Sequence, residues 1–254
     1  MNIKSKVKSY LIILLFLIIG MLLMGSAQLL KSTDSINSAF LMLVLFVGQN
    51  ISTAYMLNIK AELYTFWSLK KIYFLPIGIL AGGIIVLIPV IAGLLTAETS
   101  IGQIKFASEF TPASIFLTLV IVSWEELWFR GIFLNYCNRN LSAITISITI
   151  GLLFMLVHVL NPEIDLIKTG PTLFFAGAFL TLVYFYFKTI WLPIGLHFGN
   201  NYMSIESNLD KHSILGTEGY LGAIVLAILY ILLVKLTIKK LKKLKKPTTK
   251  SILL

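Results

Sequence analysis

Glu125, Glu126 and Arg130 stand within "SWEELWFRGIFL" (Ser123 to Leu134), a run otherwise built largely of Trp, Phe, Leu and Ile. Glu126 and Arg130 are four positions apart, so on a helix they lie one turn from each other on one face and can pair. Glu125 projects about 100° away around the helix and has no such partner within it. A carboxylate left open in apolar surroundings suits the work of a general base or acid. Two of the chain's three histidines also lie in apolar runs, His158 in "FMLVH" (Phe154 to His158) and His197 in "HFGNN" (His197 to Asn201). Each histidine shares a helical face with the other end of its motif, and Gly199 permits close helix approach. One spare glutamate, two imidazoles and an asparagine make a hydrolytic set: a base, its orienting ring, and two donors for an oxyanion. The plainer alternative is an ion pair and interhelical hydrogen bonds that lock helices together without chemistry. His212, between Asp210 and Ser213, reads as a surface residue.

The elements that must carry these residues are transmembrane helices. Of the 254 residues, 57% are hydrophobic and only 13% charged, with a mean hydropathy of +0.91. A soluble domain is about 25% charged. Charge this sparse, between long apolar runs, predicts an all-α fold, a polytopic transmembrane helical bundle. Spans are expected at about 10–30, 38–58, 73–96, 112–135, 142–160, 170–187, 190–206 and 218–236, eight in all. Thr111-Pro112 and Gly170-Pro171 mark the starts of the fourth and sixth, since Pro favours the first helical turn. The seventh is short, carries Pro193, and is expected to be tilted or broken and buried among the others. The first, uncharged from Leu11 to Leu30, exceeds a signal-peptide core and reads as an uncleaved helix.

Basic residues orient the bundle. With eight spans and a cytoplasmic N-terminus, sixteen basic residues fall inside, among them Lys70, Lys71, Arg139 and Lys188. Only Lys31, Lys105, Lys168 and Lys211 fall outside, so both termini are expected in the cytoplasm of a multi-pass cell-membrane protein. Residues 1–254 then form a single integral membrane domain, with a motif-bearing core at about 110–205 and a basic cytoplasmic tail at 237–254. The run from Lys235 to Lys250 holds eight of the 21 basic residues. Directly after an apolar span it suits anionic lipid headgroups rather than nucleic acid. Cys137 is alone, which excludes an intrachain disulfide, and is expected in a loop or at a helix end.

On these motifs the sequence resembles the CPBP (Abi, or CAAX-protease and bacteriocin-processing) family of intramembrane proteases. That family is marked by Glu-Glu-x-x-x-Arg, Phe-x-x-x-His and His-x-x-x-Asn, which stand here as Glu125 to Arg130, Phe154 to His158 and His197 to Asn201, in order over roughly 110–205. The resemblance implies a helical bundle around a cavity and an endopeptidase activity. Carried over by position, Glu125 with His158 activates a water, His197 and Asn201 stabilise the oxyanion, and Glu126 with Arg130 shapes the site. The family is often described as metalloproteases. Glu125, His158 and His197 are the residues that would hold zinc, which favours such donors. No His-Glu-x-x-His helix is present, and a metal-free glutamate mechanism is preferred. The expected substrate is a peptide or protein, lipid-modified or bearing a leader. The alternatives are a non-catalytic membrane partner, a bacteriocin self-immunity protein, and a proton-coupled transporter, whose paired broken helices are not seen.

Overall fold

The computed structural model describes residues 11–22 in part, 36–56, 68–96, 104–106, 111–134, 142–160, 165–203, 205–207 and 220–244. Cys137 and His212 lie outside the described residues. Seven α-helices follow in chain order: α1 (Ile36–Met56), α2 (Phe74–Leu95), α3 (Pro112–Glu126), α4 (Ala143–Val157), α5 (Leu166–Phe187), α6 (Trp191–Tyr202) and α7 (Tyr220–Leu244). The described residues between Leu11 and Leu22 are also helical. Every one of the eight expected segments therefore contains helix. Three helices among the described residues are long and apolar enough to cross a membrane, 74–95, 166–187 and 220–240, and two shorter apolar ones lie within α1 and α4. At 12 residues, α6 is only about 18 Å long and cannot span alone. It is instead buried from Leu192 to Gly199, as expected of the short seventh segment.

Local chemistry sets the boundaries. Thr111 caps α3 by accepting from Ser114 N–H, with Pro112 in the first turn, and Ser142 caps α4 in the same way through Thr145. The start expected at Gly170-Pro171 is corrected: the Asp165 side chain accepts from Ile167 and Lys168 N–H, and α5 begins at Leu166. Pro171 is thus the sixth residue of the helix, past the N–H groups that have no partner at a helix start, and it gives no hydrogen bond to the Ile167 carbonyl. The helix α7 continues to Leu244, so the first residues of the expected tail extend the last helix. The all-α expectation needs one amendment, a two-stranded antiparallel ribbon of β1 (Ile104–Phe106) and β2 (Ile205–Ser207), with Lys105 opposite Glu206. It joins the chain entering α3 to the chain leaving α6.

Glycine brings the site helices together. Gly78 and Gly82 on α2 face Gly195 and Gly199 on α6, two small-xxx-small stripes in contact. A Cβ at Gly195 would lie 2.9 Å from Gly78 Cα, and one at Gly78 would lie 2.8 Å from Gly195 Cα. Between α4 and α5, Gly151 meets Ala178, and a Cβ on Gly177 would stand 2.7 Å from Phe154 Cβ. Elsewhere α1 packs on α3 through Met42, Leu117 and Val120, and Ser147 hydrogen-bonds Tyr230 at 2.9 Å to join α4 to α7. Large apolar side chains such as Leu80, Ile84, Leu152, Ile224 and Ile228 point outward, as befits a surface solvated by lipid.

These contacts generate a paired prediction. A Gly82→Ala methyl would meet the backbone of Leu196 and stand 2.9 Å from Asn200 N, whereas Gly48 has nothing within 4 Å of a Cβ. Thermal unfolding in detergent should show Gly82→Ala destabilised by about 1–3 kcal/mol. Gly48→Ala should be unchanged, or stabilised by about 0.5–1 kcal/mol through its helix propensity.

Candidate active site

The chain does not finish α3 as an ordinary helix. After Glu126 the residues Leu127–Phe133 form a π-helical turn, buried from Leu127 to Ile132. Wide turns of this kind are rare and concentrate at functional sites. Glu126, just before this turn, and Arg130, in the middle of it, are both fully buried.

The expected pair is present: Arg130 Nη1 donates to Glu126 Oε1 at 2.9 Å. The other arm of the guanidinium, Nη2, donates to the Gly177 carbonyl of α5 at 2.8 Å. The Phe154 ring lies 5.3 Å from the guanidinium carbon, a cation–π contact from α4. Gly177 O also accepts from Thr181 Oγ1 at 2.7 Å. Neither Gly177 nor Thr181 is marked by sequence, because the acceptor is a backbone carbonyl that every residue possesses. The bare glycine at 177 is the only hint, since it lets α4 approach.

His197 joins both glutamates. Its Nδ1 hydrogen-bonds Glu126 Oε1 at 2.9 Å, and its Nε2 stands 3.7 Å from Glu125 Oε2. A carboxylate only accepts, so Nδ1 carries a proton and Nε2 is the nitrogen turned toward the open side. Glu126 Oε1 therefore has donors from Arg130 and from His197. Glu125 retains some exposure, 19% of its side chain, and makes no shorter polar contact among the described residues.

His158 is arranged by the end of its helix. Its backbone N–H turns back to Met155 and Leu156 as α4 tightens into a 3-10 turn over His158–Leu160. That leaves the Phe154 carbonyl to take Nδ1–H of the His158 ring at 2.7 Å. The neutral ring then presents Nε2 as an unprotonated acceptor. The Phe154 ring stands between the histidines, 4.8 Å from the ring of His158 and 5.8 Å from that of His197. His158 and Glu125 share no hydrogen bond among the described residues. The expected pairing of Glu125 with His158 is thus not a direct contact, and the imidazole beside Glu125 is His197.

Asn201 follows His197 by one turn of α6 and is exposed. Gln49, at membrane depth on α1, accepts from Trp124 Nε1 at 2.7 Å. It braces the residue that precedes Glu125. Glu125, His158 and His197 are the donors a zinc ion would need. Among the described residues no three His, Cys, Asp or Glu side chains converge as a metal set.

Arg130 holds Glu126 and Gly177 with different nitrogens, a geometry that one ammonium group cannot reproduce. Arg130→Lys should lose at least one of the two contacts. Removing one partner of a buried ion pair typically costs about 3–5 kcal/mol. Thermal unfolding should place Arg130→Ala in that range and Arg130→Lys between it and the parent protein.

Comparison with curated proteins gives no match. Residues 107–203 match the family model Rce1-like, described as type II CAAX prenyl endopeptidase Rce1-like. The matched segment opens before α3 and closes after α6, so it holds all three motifs and the charge cluster they build. Through that segment, 97 of the 254 residues, the chain is similar to a family of membrane proteases.

Proposed function

We propose that this chain is an intramembrane endopeptidase whose attacking group is a water activated by Glu125. The observation that carries the reading is the position of His197. It is hydrogen-bonded to Glu126 through Nδ1 and stands 3.7 Å from Glu125 through Nε2. One of the adjacent carboxylates is thereby occupied in holding the ring, while the other stays open beside it. The three functional helices supply different parts: α3 the base, α4 an imidazole acceptor, α6 an imidazole donor.

In this mechanism the carboxylate of Glu125 takes one proton from water, and His158 Nε2 accepts the hydrogen bond of the other. The resulting hydroxide attacks the scissile carbonyl carbon and pushes its π electrons onto oxygen. His197, when protonated at Nε2, donates to that oxyanion, with Asn201 as the second donor one turn along α6. Collapse of the tetrahedral intermediate breaks the C–N bond, and the proton held by Glu125 passes to the departing amine. Glu126 and Arg130 take no proton. They fix the His197 ring, which is the positioning task of an imidazole hydrogen-bonded to a carboxylate.

The substrate is a peptide, and the family description makes a prenylated peptide with a CAAX terminus the first to test. The membrane is the cell membrane, crossed several times, with the lysine-rich ends of the helices in the cytoplasm. The mechanism runs without metal.

Purified protein in liposomes should cleave such a peptide, and Glu125→Gln and His158→Ala should each lower kcat by about 10²–10⁴-fold with no change in unfolding temperature. Asn201→Ala should lower kcat by about 10²-fold and leave KM nearly unchanged. Undiminished cleavage by Glu125→Gln would overturn the assignment of the base. Metal analysis of the active protein should find no stoichiometric zinc, and activity should survive a chelator. Zinc at one equivalent, lost together with activity, would overturn the metal-free step.

A further inference from the structure

Three lysines from separate parts of the chain meet where α5 ends. Lys188 closes that helix in the left-handed conformation, φ 55° and ψ 44°, the one non-glycine residue with positive φ among the described residues. Lys71, just before α2, donates through Nζ to the carbonyls of Lys188 at 2.8 Å and Phe187 at 3.2 Å. Lys240, near the end of α7, donates through Nζ to the carbonyl of Tyr186 at 2.9 Å and lies over the Tyr186 ring at 4.5 Å. The Lys188 ammonium lies 5.5 Å from the Phe185 ring.

A helix C-terminus attracts cations, but its partial charge is only about −0.5. Three ammonium groups overshoot that by a wide margin. No carboxylate pairs with any of them among the described residues. The crowding is felt at Lys188, whose ammonium is held below the usual lysine range by burial and then by the charges of Lys240 and Lys71. Donor capacity also remains. Each ammonium has three N–H groups, and the carbonyls occupy only some of those on Lys71 and Lys240 and none on Lys188.

The surroundings place this cluster at headgroup depth. Tyr73 stacks on Phe74, and Phe74 meets Phe187 edge-on at 5.6 Å. Trp191 donates through its indole N–H to Ser68 O at 3.0 Å. Tyr and Trp rings of this kind collect at the membrane–water boundary. Lys70 and Lys239 stand exposed beside the cluster. The distance from Gly177 to Lys188 along α5, about 16 Å, separates it from the charge cluster around Glu126.

We propose that Lys71, Lys188 and Lys240 form a binding site for the phosphate of an anionic phospholipid headgroup, which ties the ends of α2, α5 and α7 to the leaflet they face. The phosphate supplies the missing negative charge and accepts the unused N–H groups, while its acyl chains run along the apolar outer faces. This site is independent of the proteolytic reading.

The test uses the full chain in nanodiscs of phosphatidylcholine alone and of phosphatidylcholine with phosphatidylglycerol. The anionic lipid should raise the apparent Tm by on the order of 5 °C, both in the parent protein and in Lys168→Gln, a control at the other end of α5. The triple variant Lys71→Gln, Lys188→Gln, Lys240→Gln should lose more than half of that gain, and the corresponding triple Arg variant should keep it. Should the triple Gln variant fail to fold, Lys188→Gln decides. It leaves the backbone bonds of Lys71 and Lys240 in place and should lose about a third of the gain. No gain in the parent protein, or a full gain in Lys188→Gln or the triple Gln variant, overturns the site. An equal gain from millimolar inorganic phosphate in phosphatidylcholine alone assigns the site to free phosphate and overturns the lipid.

Discussion

Glu126 Oε1 is the atom on which the site depends. It accepts from Arg130 of its own helical run and from His197 of α6, while Arg130 reaches on to Gly177 of α5 and lies against Phe154 of α4. One fully buried oxygen thus connects four segments that are distant in sequence. A charge at bilayer depth costs about 2.5–3.5 kcal/mol on insertion scales, so neither Glu126 nor Arg130 is tolerable alone. Stability by itself would favour a bidentate fork between them. The structure has a single contact instead, with Glu126 Oε2 and Arg130 Nε left without hydrogen bonds among the described residues. The second guanidinium nitrogen and the second approach to Oε1 are spent on α5 and α6. A pair built only as a lock would keep both contacts for itself.

Helix proximity makes that sharing geometrically possible. His197 lies between Gly195 and Gly199 in sequence but on the opposite face of α6, about 200° around the helix, so the stripe that lies on Gly78 and Gly82 with backbone against backbone turns the imidazole toward Glu126. In a membrane there is little hydrophobic force to draw helices together, so close packing and polar contacts must do it. The same device recurs at Gly151 and Gly177, where it sets both the Phe154 ring and the carbonyl that Arg130 needs. Positioning of the charged residues is therefore delegated to residues with no chemistry of their own. The helix α6 can be short and buried from Leu192 to Gly199 because it serves this interior role.

How much of this was legible in the sequence follows from range. The Glu126–Arg130 pair is set by a four-residue spacing, and helix geometry dictates it directly. The apolar segments were legible for the same reason, and helix stands in each of them. The start of α5 was misplaced because Pro171 mimics a first-turn proline, whereas the Asp165 cap that decides the boundary looks like an ordinary loop residue. The β-ribbon has three residues in each strand, too few for a periodic signal. Partners across helices were not legible. Sequence spacing could bring His197 and Glu125 into one list, but not say that His197, rather than His158, would stand next to Glu125. The Gly177 carbonyl could not be anticipated, since backbone acceptors leave no mark in residue type.

The distinction between Glu125 and Glu126 is the last consequence of the same oxygen. Adjacent residues on a helix point about 100° apart, so no single neighbour can satisfy both. Glu126 faces the glycine-packed interior and is closed by Arg130 and His197. Glu125 faces the more open side, where its ion-pair partner among the described residues is the far nitrogen of the same His197 at 3.7 Å, beyond hydrogen-bond length. Because Nδ1 is held by Glu126, the ring cannot rotate to meet Glu125 without giving up its better contact. Glu125 is therefore left without a side-chain hydrogen bond among the described residues, beside a fixed imidazole, which is what the proposed base role requires. Proteases that use a water nucleophile need such a group. In the proposed mechanism the motif would supply it by placing two identical side chains in succession, of which Glu126 alone makes a hydrogen bond among the described residues.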